Sequence, residues 1–245
     1  MTKNSPIVLL PGWGLGTGPL LGLAQQLGGQ IYPLPGYPAD PQHSPHLDDF
    51  SAACNVIAQQ LPEQTVLCGW SLGGLLAQQI AATAPEKVSR LILISSTPSF
   101  VQRPDWIDAT SLNELENFID AVTENPSTAC SQFVRGFNRG DKNSKAVTRA
   151  LLETMSPLPD TAVLLTGLRW LRDIDLRAQA PSIHQPTLLL HGAHDPLMPV
   201  AGAQWFANAL PQGRLMVLDD CAHAPFVSKL TALTACLHKW MEPAP

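Results

Sequence analysis

Apolar residues along the chain fall into two recurring patterns. Short uninterrupted runs at residues 6–10, 65–68, 91–94, 187–190 and 215–218 have the look of strands buried on both faces. Between them, the segments 20–27, 50–61, 72–82, 203–210 and 230–241 place apolar residues at helical spacing. Strand and helix in alternation predict a mostly parallel central sheet with helices on both faces. Residues 97–177 break the rhythm, with helix-like pieces at 111–122 and 144–155 and no buried strand. An insertion that follows the carboxyl end of a strand lies over the place where α/β folds bind ligands, so this segment reads as a helical lid. The expected division is a first core part at 1–96, the lid at 97–177 and a second core part at 178–245. The 23 prolines fall mostly at element boundaries.

Chemistry enters at Gly69-Trp70-Ser71-Leu72-Gly73, between the run ending at Cys68 and the helical segment from Leu72. Strand, G-x-S-x-G and helix together form a nucleophile elbow. Its sharp turn strains the serine backbone, and small neighbours make room for it. A helix N-terminus beneath Ser71 favours the negative charge that acyl transfer creates.

A serine hydroxyl needs a base, and the base needs a carboxylate to fix its tautomer, in the chain order serine, acid, histidine on such a sheet. Of seven histidines, His223 alone sits late and just after a predicted strand, in Asp219-Asp220-Cys221-Ala222-His223-Ala224-Pro225-Phe226. His238 lies inside the last helix. Asp195 follows the strand Leu188-Leu189-Leu190 and is the expected acid; Asp219 and Asp220 precede the histidine too closely to support its far nitrogen. His191 and His194 supply two metal ligands without a third, so they read as structural or solvated, and neither metal nor cofactor is expected. The loop Pro11-Gly12-Trp13-Gly14-Leu15-Gly16 is the expected second wall of an oxyanion hole, with donors at the N–H groups of Trp13 and Leu72. Its glycine spacing matches no dinucleotide fingerprint, and no P-loop lysine follows.

Composition narrows the setting. With 245 residues, 45% hydrophobic and 14% charged, the chain can build one large core. A net charge of −5 argues against nucleic acid or an anionic membrane as partner. Five cysteines without C-x-x-C spacing read as reduced thiols, and residues 1–5 carry no secretory signal, so a cytoplasmic protein is expected, as a monomer.

Four stretches, Leu10-Pro-Gly-Trp-Gly-Leu15, Cys68-Gly-Trp-Ser-Leu-Gly-Gly74, Ser95-Ser-Thr-Pro-Ser-Phe100 and Ala222-His-Ala-Pro-Phe226, resemble the pimeloyl-[acyl-carrier protein] methyl ester esterases of biotin synthesis, in matching order. The resemblance implies an α/β-hydrolase fold and a serine carboxylesterase that frees pimeloyl-carrier and methanol. It also implies substrate contacts at Trp13, Ser71, Leu72 and His223, and at the lid segment Phe133-Val134-Arg135-Gly136-Phe137. Pro11 stands where many hydrolases have histidine, Cys221-Ala222 replaces a glycine, and an opening hairpin common in the fold is expected to be absent. A broad short-acyl carboxylesterase, a carbon–carbon bond hydrolase with the same triad, or a silent carrier-binding member of the fold are the alternatives. Arg135, Arg139, Lys142, Lys145 and Arg149, with Asp141 as the one acid among them, make a basic patch. Lys142, Lys145 and Arg149 would share a helical face. Such a patch suits docking of an acidic acyl-carrier protein.

Overall fold

The structure is a computed structural model that describes residues 5–38 and 46–242; the expected leaderless start therefore rests on residues that lie, for 1–4, outside the described part. Its frame is a six-stranded sheet of β1 (Ile7–Leu10), β2 (Gln30–Ile31), β3 (Thr65–Trp70), β4 (Val88–Ile94), β5 (Thr187–Gly192) and β6 (Gly213–Leu218). The order is β2-β1-β3-β4-β5-β6, with every neighbouring pair parallel. The sheet is thus wholly parallel among the described residues.

The unbroken apolar runs conceal a period of two, because both faces are covered. Val8, Leu67, Leu91, Leu93 and Leu189 join one core, whereas Leu9, Val66, Cys68, Ile92, Ile94, Leu188 and Leu190 join the other. On the first face lie α2 (Phe50–Gln60), α3 (Leu72–Thr83) and α8 (Val200–Ala209), contributing Ile57, Ile80 and Phe206. On the second lie α1 (Leu21–Leu27) and α10 (Leu230–Met241), contributing Leu23 and Leu237.

One strand expectation needs correction, and one strand was not expected. β6 is not buried on both faces: Met216 and Val217 are exposed, because an edge strand has a neighbour on one side only. β2 has no sequence signal, since two residues paired to Val8 and Leu9 are too few to leave an apolar run.

Four α-helices stand between β4 and β5: α4 (Leu112–Glu124), α5 (Pro126–Phe137), α6 (Ser144–Thr154) and α7 (Thr161–Asp173). α4 starts at a capping box in which Ser111 accepts the Glu114 N–H and Glu114 accepts the Ser111 N–H. Asn125 caps α5, accepting the Thr128 N–H at 3.0 Å, with Pro126 in the first turn. The predicted helical face shared by Lys142, Lys145 and Arg149 is also corrected. α6 begins at Ser144 with Asn143 as its cap, so Lys142 belongs to the preceding turn. A short α9 (Pro225–Ser228) follows the loop after β6. Among the described residues no helix is long and apolar enough to cross a membrane.

Candidate active site

β3 ends at Trp70 and α3 begins at Leu72, leaving one residue for the reversal. Ser71 makes it at φ 53° and ψ −120°, a region that side chains rarely enter. Its N–H donates to Ile94 O at 3.0 Å, and its carbonyl accepts the Gly74 N–H and the Ser96 hydroxyl at 2.9 and 3.0 Å. Space around the turn is as tight as the motif requires. A Cβ on Gly73 would stand 2.4 Å from Leu10 O, and one on Gly74 the same distance from Ser96 Cβ.

The carboxyl ends of β3, β5 and β6 then bring three distant side chains together. His223 Nε2 lies 3.0 Å from Ser71 Oγ, and its Nδ1 lies 2.7 Å from Asp195 Oδ2. All three residues are buried. Asp195 Oδ1 is held by the Leu197 and Met198 N–H groups, each at 3.0 Å, which fixes the plane of the carboxylate. Burial pushes the Asp195 carboxyl up. The His223 charge and hydrogen bond, the nearby His191 and the Met198 N–H outweigh that push and hold it below the usual aspartate range. An anionic Asp195 keeps the proton on His223 Nδ1 and leaves Nε2 free to accept from Ser71.

The flanking histidines differ. His191 is buried, its Nε2–H donating to the Met198 carbonyl, and burial holds its pKa below the ordinary value despite Asp195 nearby. His194 is exposed. Asp219 and Asp220, the rival acids, are exposed too.

Trp70, the variable residue of the G-x-S-x-G motif, is buried and donates from its indole to the His223 carbonyl at 2.9 Å. It packs edge-on against Phe226 at 4.8 Å between ring centroids.

The loop after β1 lies against the elbow. A Cβ on Gly12 would meet the Trp70 ring at 2.9 Å, and the Gly73 backbone sits on Leu10 O and Pro11 O. Leu72 follows Ser71 directly as the first residue of α3, and the loop that carries Trp13 packs on the same turn. The Trp13 ring reaches into the four-helix segment: its N–H donates to Leu164 O at 2.8 Å, and it packs edge-on against Phe118 and Phe133 at 5.3 and 5.4 Å. Phe133 contacts Phe137, which in turn stands 5.2 Å from the His223 ring. An apolar aromatic path therefore runs from Trp13 to the histidine. Gly167 of α7 lets it close, since a Cβ there would be 2.6 Å from Trp13 and 3.3 Å from Leu72. Phe118, Leu164 and Gly167 were not foreseen, because only helix packing brings them to the site.

The five residues 133–137 do not act as a block. Phe133 and Phe137, four apart on α5, share the face toward Trp13 and His223. Val134 is fully buried in the core on the α1 and α10 side, and the missing Gly136 side chain would point into open space. Arg135 turns outward into a cleft of about 580 Å³ that it lines with Arg139, Lys145 and Arg149, with Ser144 and Thr148, and with one acid, Glu153. Lys142 lies apart from these, its exposed Nζ 3.8 Å from Asp220. Asp141, the one acid between Arg135 and Arg149, is buried; its carboxylate accepts the Asn143 N–H at 2.7 Å and the Ala222 N–H at 3.3 Å.

A parallel sheet with a strained serine at the β3–α3 turn, and an acid and a histidine after later strands, defines a class, and the chain belongs to it: the alpha/beta hydrolase fold family, whose model matches residues 6–230. Within that family the likeness is narrower. The chain is 39% identical over 237 residues to the pimeloyl-[acyl-carrier protein] methyl ester esterase of Aromatoleum aromaticum, covering 92% of this chain and 94% of the relative. It is 34% identical to the protein of the same name from Nitrosomonas europaea, over 96% of this chain and 95% of that one. Among solved structures, an esterase from Exiguobacterium antarcticum superposes with a TM-score of 0.84 at 22% identity, covering 99% of this chain and 94% of its own. A bromoperoxidase from Bacillus anthracis superposes at 0.85 with 16% identity, covering 98% and 93%. These two share the fold.

Proposed function

We propose that this protein is a serine carboxylesterase that hydrolyses the methyl ester of pimeloyl-[acyl-carrier protein]. The observation that carries the chemistry is the buried relay from Asp195 Oδ2 through His223 to Ser71 Oγ, at 2.7 and 3.0 Å. The substrate is inferred from the names of the curated relatives, which the chain matches over nearly its whole length.

In this reading Ser71 gives its proton to His223 Nε2 as its oxygen bonds to the ester carbonyl carbon. The negative charge gathers on the carbonyl oxygen, which in this reading takes hydrogen bonds from the Trp13 and Leu72 N–H groups, the latter at the N-terminus of α3. His223, now a cation supported by Asp195, passes the proton to the methoxy oxygen, and methanol leaves an acyl-Ser71 ester. Water then attacks, giving one proton to the same imidazole, and collapse returns that proton to Ser71 and frees the carboxylic acid, which loses its remaining proton to solvent and becomes the carboxylate. The new charge is poorly matched to the aromatic wall of Trp13, Phe118 and Phe133, so product release is favoured.

Residues 97–177 serve in this scheme as the lid over the acyl site. The cleft of Arg135, Arg139, Lys145 and Arg149 receives an acidic carrier protein, which ties the acyl chain on one face of α5 to the carrier on the other. We place the protein in the cytoplasm, as a monomer, a setting that its five free cysteines support. Mass spectrometry of a pimeloyl-carrier methyl ester incubated with the enzyme tests the reaction. Conversion to the free acid, absent with Ser71→Ala, is expected; a substrate that stays methylated under conditions where small esters are cleaved would rule this substrate out.

A further inference from the structure

We propose that Asp141 is a positioning residue for the catalytic base, an inference that rests on the esterase reading above. The loop carrying His223 is held from two sides by different groups. Its carbonyls face the sheet and elbow: Cys221 O accepts the His194 N–H and His223 O accepts the Trp70 indole, both at 2.9 Å. The N–H groups of Ala222 and His223 instead find their acceptors in the helical insertion, at Asp141 Oδ2 (3.3 Å) and Phe137 O (3.5 Å). The Lys142 N–H completes the seam by donating to Asp220 O at 3.1 Å.

Asp141 is the buried side chain in that seam, whereas the Lys142–Asp220 ion pair at its rim is exposed. The second Asp141 oxygen accepts the Asn143 N–H, so the carboxylate is fixed at the entry to α6 while it holds the residue before His223. Ala222 is fully buried, and without Asp141 its N–H would have no water to turn to. The loop would move to satisfy it, and the imidazole one residue further on would move with it. A 1 Å misplacement of a reacting group can cost about a hundredfold in rate, because the barrier depends on near-attack geometry. The Asp141 carboxylate is taken up by the Asn143 and Ala222 N–H groups and hydrogen-bonds to no residue of the triad, so the effect belongs to turnover and not to small-ester binding.

The test compares wild type, Asp141→Asn and Asp141→Ala. Active sites are counted by labelling Ser71 to completion with an organophosphonate, and kcat and KM for p-nitrophenyl butyrate are expressed per labelled site. The amide of Asn keeps one acceptor where the carboxylate had two, so kcat per site is expected to fall about threefold in Asp141→Asn and about tenfold or more in Asp141→Ala, with KM within about twofold. A merely structural role would lower the number of labelled sites and leave kcat per site unchanged. That outcome in Asp141→Asn overturns the proposal even if Asp141→Ala does not fold, as does a loss confined to KM. A wild type that neither labels nor turns over would refute the esterase reading instead, so the two failures are distinct.

Discussion

Replacing Asp195 by asparagine changes one atom and should nearly silence the enzyme, for a reason set by its hydrogen bonds. Oδ1 accepts two backbone N–H groups, from Leu197 and Met198, and Oδ2 accepts from His223 Nδ1. An asparagine must keep its oxygen toward Leu197 and Met198, since turning its amide group there would set donor against two backbone donors, one of them buried. Its NH2 then faces His223 Nδ1, which has to become the acceptor. The imidazole proton moves to Nε2, and Nε2 can no longer take the Ser71 proton. The wrong tautomer, with loss of the anion that steadies the imidazolium, is worth about ten-thousandfold in kcat, or about 5.5 kcal/mol. The assay is kcat/KM for a small methyl ester at neutral pH, with far-UV dichroism and thermal melting as folding controls. The loop bonds survive in Asp195→Asn, so the variant should fold. A folded variant that loses less than about tenfold would refute the tautomer argument.

Acid titration adds a linked expectation: the folded Asp195 carboxyl lies below its unfolded value of about 3.9, so the stability it contributes is complete above that value and is lost as pH falls through the folded one. The melting difference between wild type and Asp195→Asn should therefore narrow toward low pH. Ser71→Gly should melt above Ser71→Ala by about 1 kcal/mol in stability, because glycine tolerates the φ of 53° and alanine does not; equal stabilities would mean that the elbow stores no strain. Gly167→Val would drive a side chain into Trp13 and Leu72, costing about 1–3 kcal/mol by overpacking and raising KM for long acyl esters more than for acetates, as steady-state kinetics across a chain-length series would reveal. Reversing Arg139, Lys145 and Arg149 to glutamate should lower kcat/KM for the carrier-linked ester about tenfold or more, with the gap closing in high salt, and leave a small methyl ester unaffected; equal losses on both would remove the docking role.

The parts of the site that could be read from sequence are those whose chemistry constrains the local chain. Ser71 needs small neighbours to sustain its backbone, and Asp195 and His223 sit in loops directly after strands, so each leaves a mark within a few residues. The aromatic wall beside Trp13 left no such mark. Phe118 and Gly167 lie about fifty residues apart on α4 and α7 and meet Trp13 only once the helices pack. The same limit explains Lys142, whose spacing suits a helix that Asn143 starts one residue too late. It explains β6 as well, where an apolar run cannot tell a central strand from an edge. Asp141 looked like one more charge in a basic stretch, and only its burial separates it from its neighbours.

The backbone seam between residues 137–142 and 220–223 has a bearing on engineering. Exchanging the whole insertion for that of a relative, as a route to new acyl preferences, would also exchange the brackets on which the imidazole hangs. A chimera that grafts α4 and α7 while retaining the native turn between α5 and α6 should keep its turnover, whereas one that replaces that turn should need compensating changes beside His223.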